Sequence, residues 1–415
     1  MSVSFCKRAR VSQENCESGG ITVKRKMIVL LILALAICSL PGATAEKKLT
    51  VISGWSGPEM DAFMPVLKAF EKETGIRVDY QIYRAEDLAV LLPAQFNAKT
   101  TPGDVIYMWS WFITKHAKDG HVLEMTGSLK DADFIPGALD AVKVDNKLWG
   151  GVYTGKVKPG FWYRKSFFKK HGLSEPKTWD EFVALCAKLQ KISGVKAPIA
   201  SGNGVGWPLS DITEHFIATY AGPQVTYGLI DKKVKWTDPV VKSVFTDRIV
   251  PLLKAGYFSE PIEWTMALDL WWRGDYGLYF MGSWITGMVD NPDDLGVFSL
   301  PGCEGIVFAP DYAFVPAYTK YPAEARKLLA FLSTKGQEIQ VSTGGHIATY
   351  KVPLNAYPPV DRGVASLLKG VVALPDLDDT IGGEWQAAFW DQLKLLWVSP
   401  GRVNEVLENL QRKAN

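Results

Sequence analysis

A short apolar run, a polar turn, an amphipathic segment and a second apolar run occupy Leu49 to Tyr80, and no other stretch limits the fold as tightly. Leu49 to Ser53 reads as a strand. A turn of Trp55, Ser56, Gly57 and Pro58 follows, then a helix to about Thr74 and a strand from Ile76. Met60, Phe63, Met64, Leu67 and Phe70 recur at helical spacing, and Gly75 suits the left-handed conformation that ends a helix. Ser56 and Glu59 have the spacing of a capping box, while Pro65 removes a backbone donor and predicts a kink or a late start. The unit is a β-α-β. Its ligand-facing edge is the turn after the first strand, because open α/β sheets bind beyond the carboxyl ends of their strands.

Further along, a loop with Tyr83 and Arg84 precedes a helix from Glu86 to Ala98, and Pro102 to Met108 reads as a buried strand closed by Trp109-Ser110-Trp111. Leu148 to Tyr153 and Phe161 to Lys165 are the next apolar runs. Thr178 caps a helix, Glu181 closes its capping box, and Phe182, Leu185, Cys186 and Leu189 form the inward face. Ser201 to Trp207 is a glycine-rich loop without the Lys-Ser/Thr ending of a phosphate loop, so it suits close backbone approach to a ligand better than a nucleotide. Asp231 to Trp236 reads as an insertion or edge hairpin and Pro239 to Ala255 as a helix, and the run from Arg273 to Trp284 ends in Gly-Ser-Trp. Tyr312 to Val315 is a strand and Pro322 to about Ser333 a helix. The remainder is helical, with Trp385, Phe389, Trp390 and Trp397 in succession.

At 415 residues the chain exceeds one ordinary core, so two lobes are expected. The formal charge is +2, but residues 1 to 45 hold six basic and two acidic side chains, which leaves a slightly acidic body. Such a body gives no basic footing for nucleic acid. The first 45 residues read as a targeting segment: Lys24-Arg25-Lys26, an apolar run from Met27 to Leu40, and Ala43-Thr44-Ala45 as the cleavage box. That run falls short of the roughly 20 residues of a spanning helix. The start of the precursor stays open among Met1, Val23 and Met27, as does lipidation at Cys38. After cleavage only Cys186 and Cys303 remain; Cys186 reads as a buried free thiol, with a bridge between the two the alternative.

These segments resemble the extracellular solute-binding proteins of ABC importers, in the family that includes maltose-binding protein. The likeness rests on Leu49-Thr50-Val51, Trp55, Glu59, Phe70-Glu71-Lys72 and Thr74-Gly75-Ile76, on the Pro102 to Met108 strand, and on Leu148-Trp149-Gly150-Gly151 with Trp162-Tyr163-Arg164-Lys165. Pro176-Lys177-Thr178-Trp179 and the strand ending at Trp284 extend it to most of residues 47 to 400. Gly103 inserted after Pro102, Arg164 where the family has Asn, and Gly277-Leu278 where it has Ala-Met are departures. The resemblance implies an α/β, two-lobed periplasmic-binding-protein fold of type II, each lobe a mainly parallel sheet flanked by helices. It implies an N-terminal lobe of residues 46 to 155 plus about 312 to 343, and a C-terminal lobe of about 156 to 311 plus about 344 to 415.

The function implied is extracytoplasmic capture of a sugar or oligosaccharide in the interlobe cleft and its delivery to a membrane permease. No catalytic residue, cofactor or metal is implied, and the chain is expected to be a monomer. Sugar rings present C–H patches to aromatic faces and hydroxyls to charged groups. Of the fifteen tryptophans, Trp55, Trp109, Trp111, Trp207 and Trp284 fall where strands give way to loops. With Glu59, Tyr83, Arg84, Ser110, Lys156 and Trp385 they form the candidate ligand set. Arg84, Lys156 and Lys158 keep a phosphorylated or otherwise charged solute open as the alternative. A secreted glycoside hydrolase would need two carboxylates, and Glu59, Glu263, Glu384 and Asp391 are explained more simply as caps and surface groups. The five histidines show no zinc spacing, and there is no nucleophile elbow.

Overall fold

The computed structural model describes residues 47 to 414 apart from 136, 205 and 369. The targeting segment and Cys38 lie outside the described residues, as does Val205 of the glycine-rich loop.

Two sheets organise the chain. The first is built from β1 (Lys48–Ser53), β2 (Arg77–Ile82), β3 (Val105–Tyr107) and β4 (Gly151–Lys158), and the second begins with β5 (Gly160–Arg164) and β6 (Ala197–Ala200). β7 (Tyr276–Met281) and β8 (Leu295–Phe298) complete the second sheet, and β9 (Gly305–Phe314) and β10 (Val372–Leu374) return to the first. The first sheet runs β10-β9-β3-β1-β2 with β4 also on β9, and the second runs β8-β5-β7-β6. β1 is parallel to β2 and β3, as the β-α-β reading requires, whereas β9 is antiparallel to β3 and β4. Each lobe has its own core. One gathers Leu49, Val51, Phe63, Phe70, Phe112 and Leu328; the other gathers Phe161, Phe182, Phe216, Phe389 and Leu407.

The chain passes from the first sheet to the second at Pro159, between β4 and β5, and returns between β8 and β9. These two passages are tied together, since the Ser299 hydroxyl donates to the Pro159 carbonyl at 2.5 Å. A later segment runs alongside them, with Gly155 and Ile347 exchanging backbone hydrogen bonds of 2.5 and 3.1 Å. At Gly160 φ is +138°, and a Cβ there would lie 2.2 Å from the Phe298 carbonyl oxygen. Only glycine fits that crossing.

Several local expectations change. Helix α1 (Pro58–Thr74) has Gly57 at its cap with no side-chain bond, so the Ser56–Glu59 capping box does not form. Pro58 opens the helix, and the Glu59 carboxyl instead feels the charge of Lys156. Pro65 does not delay α1, which starts at Pro58, and it lies on the exposed face of the helix. Gly75 ends the helix at φ 70° as its type predicts. After α2 (Ala85–Asn97), the strand expected from Pro102 shortens to the three residues of β3, and α3 (Ser110–Lys118) follows directly. The hairpin around residues 231 to 236 is a turn between two helices, with Lys232 at φ +59°. The strand expected from Tyr312 is the last third of β9. Cys186 and Cys303 are both free, with Cys186 buried.

Helix α4 (Trp179–Leu189) starts as its sequence predicts: the Thr178 hydroxyl accepts from the Glu181 N–H at 3.2 Å. The Glu181 carboxylate reaches back to the Lys177 N–H at 2.7 Å, one residue beyond the usual box partner. Thr178→Ala is expected to lower stability by about 1 kcal/mol. Urea unfolding checks it, and an unchanged midpoint would remove the cap from the account.

Candidate binding site between the lobes

The turn after β1 is the first element of the site. Ser53 fixes it: its hydroxyl accepts from the Trp55 N–H at 3.2 Å, and the Tyr80 hydroxyl donates to the Trp55 carbonyl at 2.7 Å. The Trp55 ring then packs on Phe63 (4.9 Å between centroids), Tyr107 (4.6 Å) and Tyr153 (5.7 Å), which leaves it 8% exposed. A ring braced on three others is preorganised.

From the second lobe, Trp284 sits in the tight turn after β7. It touches Trp207, the first residue of helix α5 (Trp207–Tyr220), at 5.7 Å, and Trp207 in turn touches Trp264 at 5.5 Å, where helix α6 (Trp264–Arg273) begins. Asp361 supports this turn by accepting from the Thr286 hydroxyl and from the Gly345 N–H at 3.0 Å; burial pushes its carboxyl up to about 6.

The two groups of rings meet at Lys156. Its ammonium lies 5.7 Å from the Trp55 ring centroid and 5.3 Å from that of Trp284, within cation–π range of both. The Lys156 nitrogen is also 3.5 Å from an Asp311 carboxylate oxygen. Asp311 lies at the break in register between Pro310 and Tyr312, where β4 carries one residue more than β9. Burial works against the Lys156 charge, but Asp311 and Glu59 outweigh it and hold the ammonium above the ordinary lysine range. Burial raises the Glu59 and Asp311 carboxyls, and Lys156 opposes both shifts. His346, hydrogen-bonded to Thr154 at 2.9 Å, is held near 3 by burial and then by Lys156, and is therefore neutral.

The remaining candidates divide. Trp109 and Trp111 stack at 5.8 Å, with Ser110 between them at the start of α3, and Trp109 reaches Trp390 of the other lobe at 6.3 Å. The residue ahead of the last long helix, Gly382, lies so near Trp111 that a Cβ would meet the indole at 2.3 Å. Trp111 Nε1 is buried without an acceptor. Tyr83 and Arg84 stay exposed at the end of β2, and Arg84 is engaged with Asp87 at 2.9 and 3.0 Å. Trp385 is a correction: it stacks on Phe389 at 4.9 Å and packs on Trp236 at 5.4 Å in the second lobe's core, because the helix turns that face inward. Asp311 and Trp264 join the site without having been expected there, and Trp390 joins it although its helical spacing suits a core residue.

Lys158, two residues beyond Lys156, points the same way along β4 yet is a structural anchor. It donates to Asp211 of α5 and to Asp376, all three buried.

Aromatic rings from both lobes thus converge on Lys156. The profile of the bacterial extracellular solute-binding proteins matches residues 54–339, and the chain belongs to that family. It is 56% identical over 368 residues, 88% of each chain, to an uncharacterised ABC transporter extracellular-binding protein of Pyrococcus horikoshii. It is 23% identical over 415 residues to the osmoprotective compounds-binding protein GgtB of Synechocystis, covering 93% of this chain and 97% of that one. Among solved structures, the bacterial solute receptor AcbH, described as exclusively preferring β-D-galactopyranose, superposes with a TM-score of 0.78 at 19% identity, over 89% of this chain and 99% of that one. The protein is thus a solute-binding component of an ABC transporter, which captures a small molecule for a permease, and not an enzyme. No helix among the described residues is long and apolar enough to cross a membrane.

Proposed function

We propose that this protein captures a sugar or short oligosaccharide between its lobes, outside the cytoplasmic membrane, and presents it to its permease as a monomer. The observation that carries the reading is the meeting of Trp55 and Trp284, from opposite lobes, at the single ammonium of Lys156. Indole faces suit the C–H patches of a pyranose, and Lys156, Glu59 and Asp311 supply charged partners for its hydroxyls. Trp109, Ser110, Trp111 and Trp207 extend this surface along the line between the lobes. Export is by cleavage after Ala45. The lobes comprise residues 46 to 155 with about 312 to 343, and about 156 to 311 with about 344 to 415, with β4 and β9 as the strands they share.

An anionic solute is the weaker reading. Lys156 faces two carboxylates, Glu59 and Asp311, so its charge is already matched. Closure on a ligand requires contacts from both lobes, because a solute held by one alone does not shift the equilibrium. The test is a thermal-shift screen of mono- and oligosaccharides beside phosphorylated and cationic solutes, followed by titration calorimetry. Stabilisation by a neutral sugar alone supports the proposal; stabilisation only by a phosphorylated or cationic solute overturns it.

A further inference from the structure

Helix α3 carries Trp111 in its first turn and ends in a second constellation. One ring nitrogen of His116, one of His121 and one carboxylate oxygen of Asp119 all lie within 4.8 Å of one another. The chain achieves this in six residues. α3 ends at Lys118, Gly120 turns at φ +79°, and the His121 N–H returns to the His116 carbonyl at 2.9 Å.

We propose that His116, Asp119 and His121 bind a transition-metal dication of the zinc class. The donor set of two imidazoles and one carboxylate suits zinc, which accepts N and O ligands in tetrahedral sites. Ligands at about 2.0–2.1 Å from a tetrahedral metal stand roughly 3.3–3.4 Å apart. His116 Nδ1 and Asp119 Oδ2 are 3.7 Å apart, so small side-chain movements complete that edge of the site.

An independent observation points to a missing partner. The His116 side chain is 92% buried, and its Nδ1 has no hydrogen-bond partner, although it faces the Asp119 carboxylate. A buried ring nitrogen left unpaired costs free energy, and a metal would satisfy it. The surroundings are those of a built site. His116 lies 4.2 Å from Phe112 and 5.3 Å from Phe96 between centroids, and His121 stacks on Phe96 at 5.1 Å. The Tyr318 hydroxyl engages His121 Nδ1 at 2.7 Å, fixing the ring and leaving its other nitrogen for a ligand. Asp119 is exposed and supplies an access path, with water as the fourth ligand. There is one carboxylate only, so the donor set favours a metal gripped by imidazole over a hard cation such as calcium. The negative end of the α3 dipole adds to the attraction.

The experiment uses untagged protein stripped with a chelator and titrated with Zn²⁺ by calorimetry, with Co²⁺ as a spectroscopic probe. The expected result is one equivalent of zinc bound and visible cobalt absorption of tetrahedral intensity. Both should weaken at least about tenfold in Asp119→Ala and in His121→Gln. These two positions are not deeply buried, so the variants should fold even if His116→Gln does not. Absence of zinc binding by the unaltered protein, or binding unchanged in the Asp119→Ala/His121→Gln double variant, would overturn the proposal. Neither outcome bears on the sugar reading, which involves other residues.

Discussion

Lys158→Met is expected to lower the free energy of unfolding at neutral pH by about 3–5 kcal/mol, the cost of breaking a buried ion pair by removing one partner. The lysine is 7% exposed and joins Asp211 to Asp376, and Glu214, Asp378 and Asp379 crowd the same space. Burial would raise Asp376, but Lys158 overcomes it and holds that carboxyl below its ordinary value; Asp211, for which burial wins, is pushed up to about 7. Burial pushes Glu214, Asp378 and Asp379 up as well. Without the ammonium, the folded-state carboxyls rise further. Acids whose folded pKa exceeds the unfolded value hold extra protons when folded, so their contribution to stability is present at low pH and is lost as pH rises through the folded pKa. The deficit of the variant should therefore grow from pH 5 to pH 8. Urea unfolding at both pH values tests this, and a loss that is the same at each, or small at pH 8, would show that the lysine is not the counter-charge. Asp211→Asn together with Asp376→Asn in the Lys158→Met background should recover part of the loss, since it removes the carboxylates left unpaired.

Trp284→Ala should weaken binding of the captured solute by about 2–4 kcal/mol, on the scale of an aromatic hot spot, with Trp55→Ala comparable. Trp284 is 5% exposed and supports Trp207, so its removal opens the site from below and frees the neighbouring ring. Calorimetric titration with the solute found by screening measures the effect, and thermal unfolding of the variant separates lost affinity from lost fold. Because both rings address Lys156, the double variant should show a coupling of about 0.5–3 kcal/mol. Strictly additive losses would mean that the two indoles act on separate parts of the ligand; unchanged affinity in Trp284→Ala would take this ring out of the site.

Local features were the legible ones. The β1-α1-β2 unit, the Thr178 cap, the inward face through Cys186 and the strand leading to Trp284 are each fixed by neighbours within a few residues, where periodicity and capping chemistry act. Features that depend on distant partners were hidden. Glu59 has the spacing of a cap, yet Gly57 and Pro58 start the helix without it and the carboxyl interacts electrostatically with a lysine nearly a hundred residues away in sequence. The carboxylates around Lys158 come from α5 and from residues 376 to 379, segments that nothing in the local sequence pairs. Trp385 and Trp390 share one helix, and whether either ring meets the other lobe is decided by how that helix is rotated. His116, Asp119 and His121 match no zinc pattern because Gly120, and not a regular helix, brings them together.

The bond between Ser299 and Pro159 makes two neighbouring straps act as one pivot. We expect parting of the lobes to be a rotation about that point, since sliding of one past the other would break the bond. Such a swing draws at least one indole away from the Lys156 ammonium, so the intrinsic fluorescence of the protein should report opening and closing with no added label.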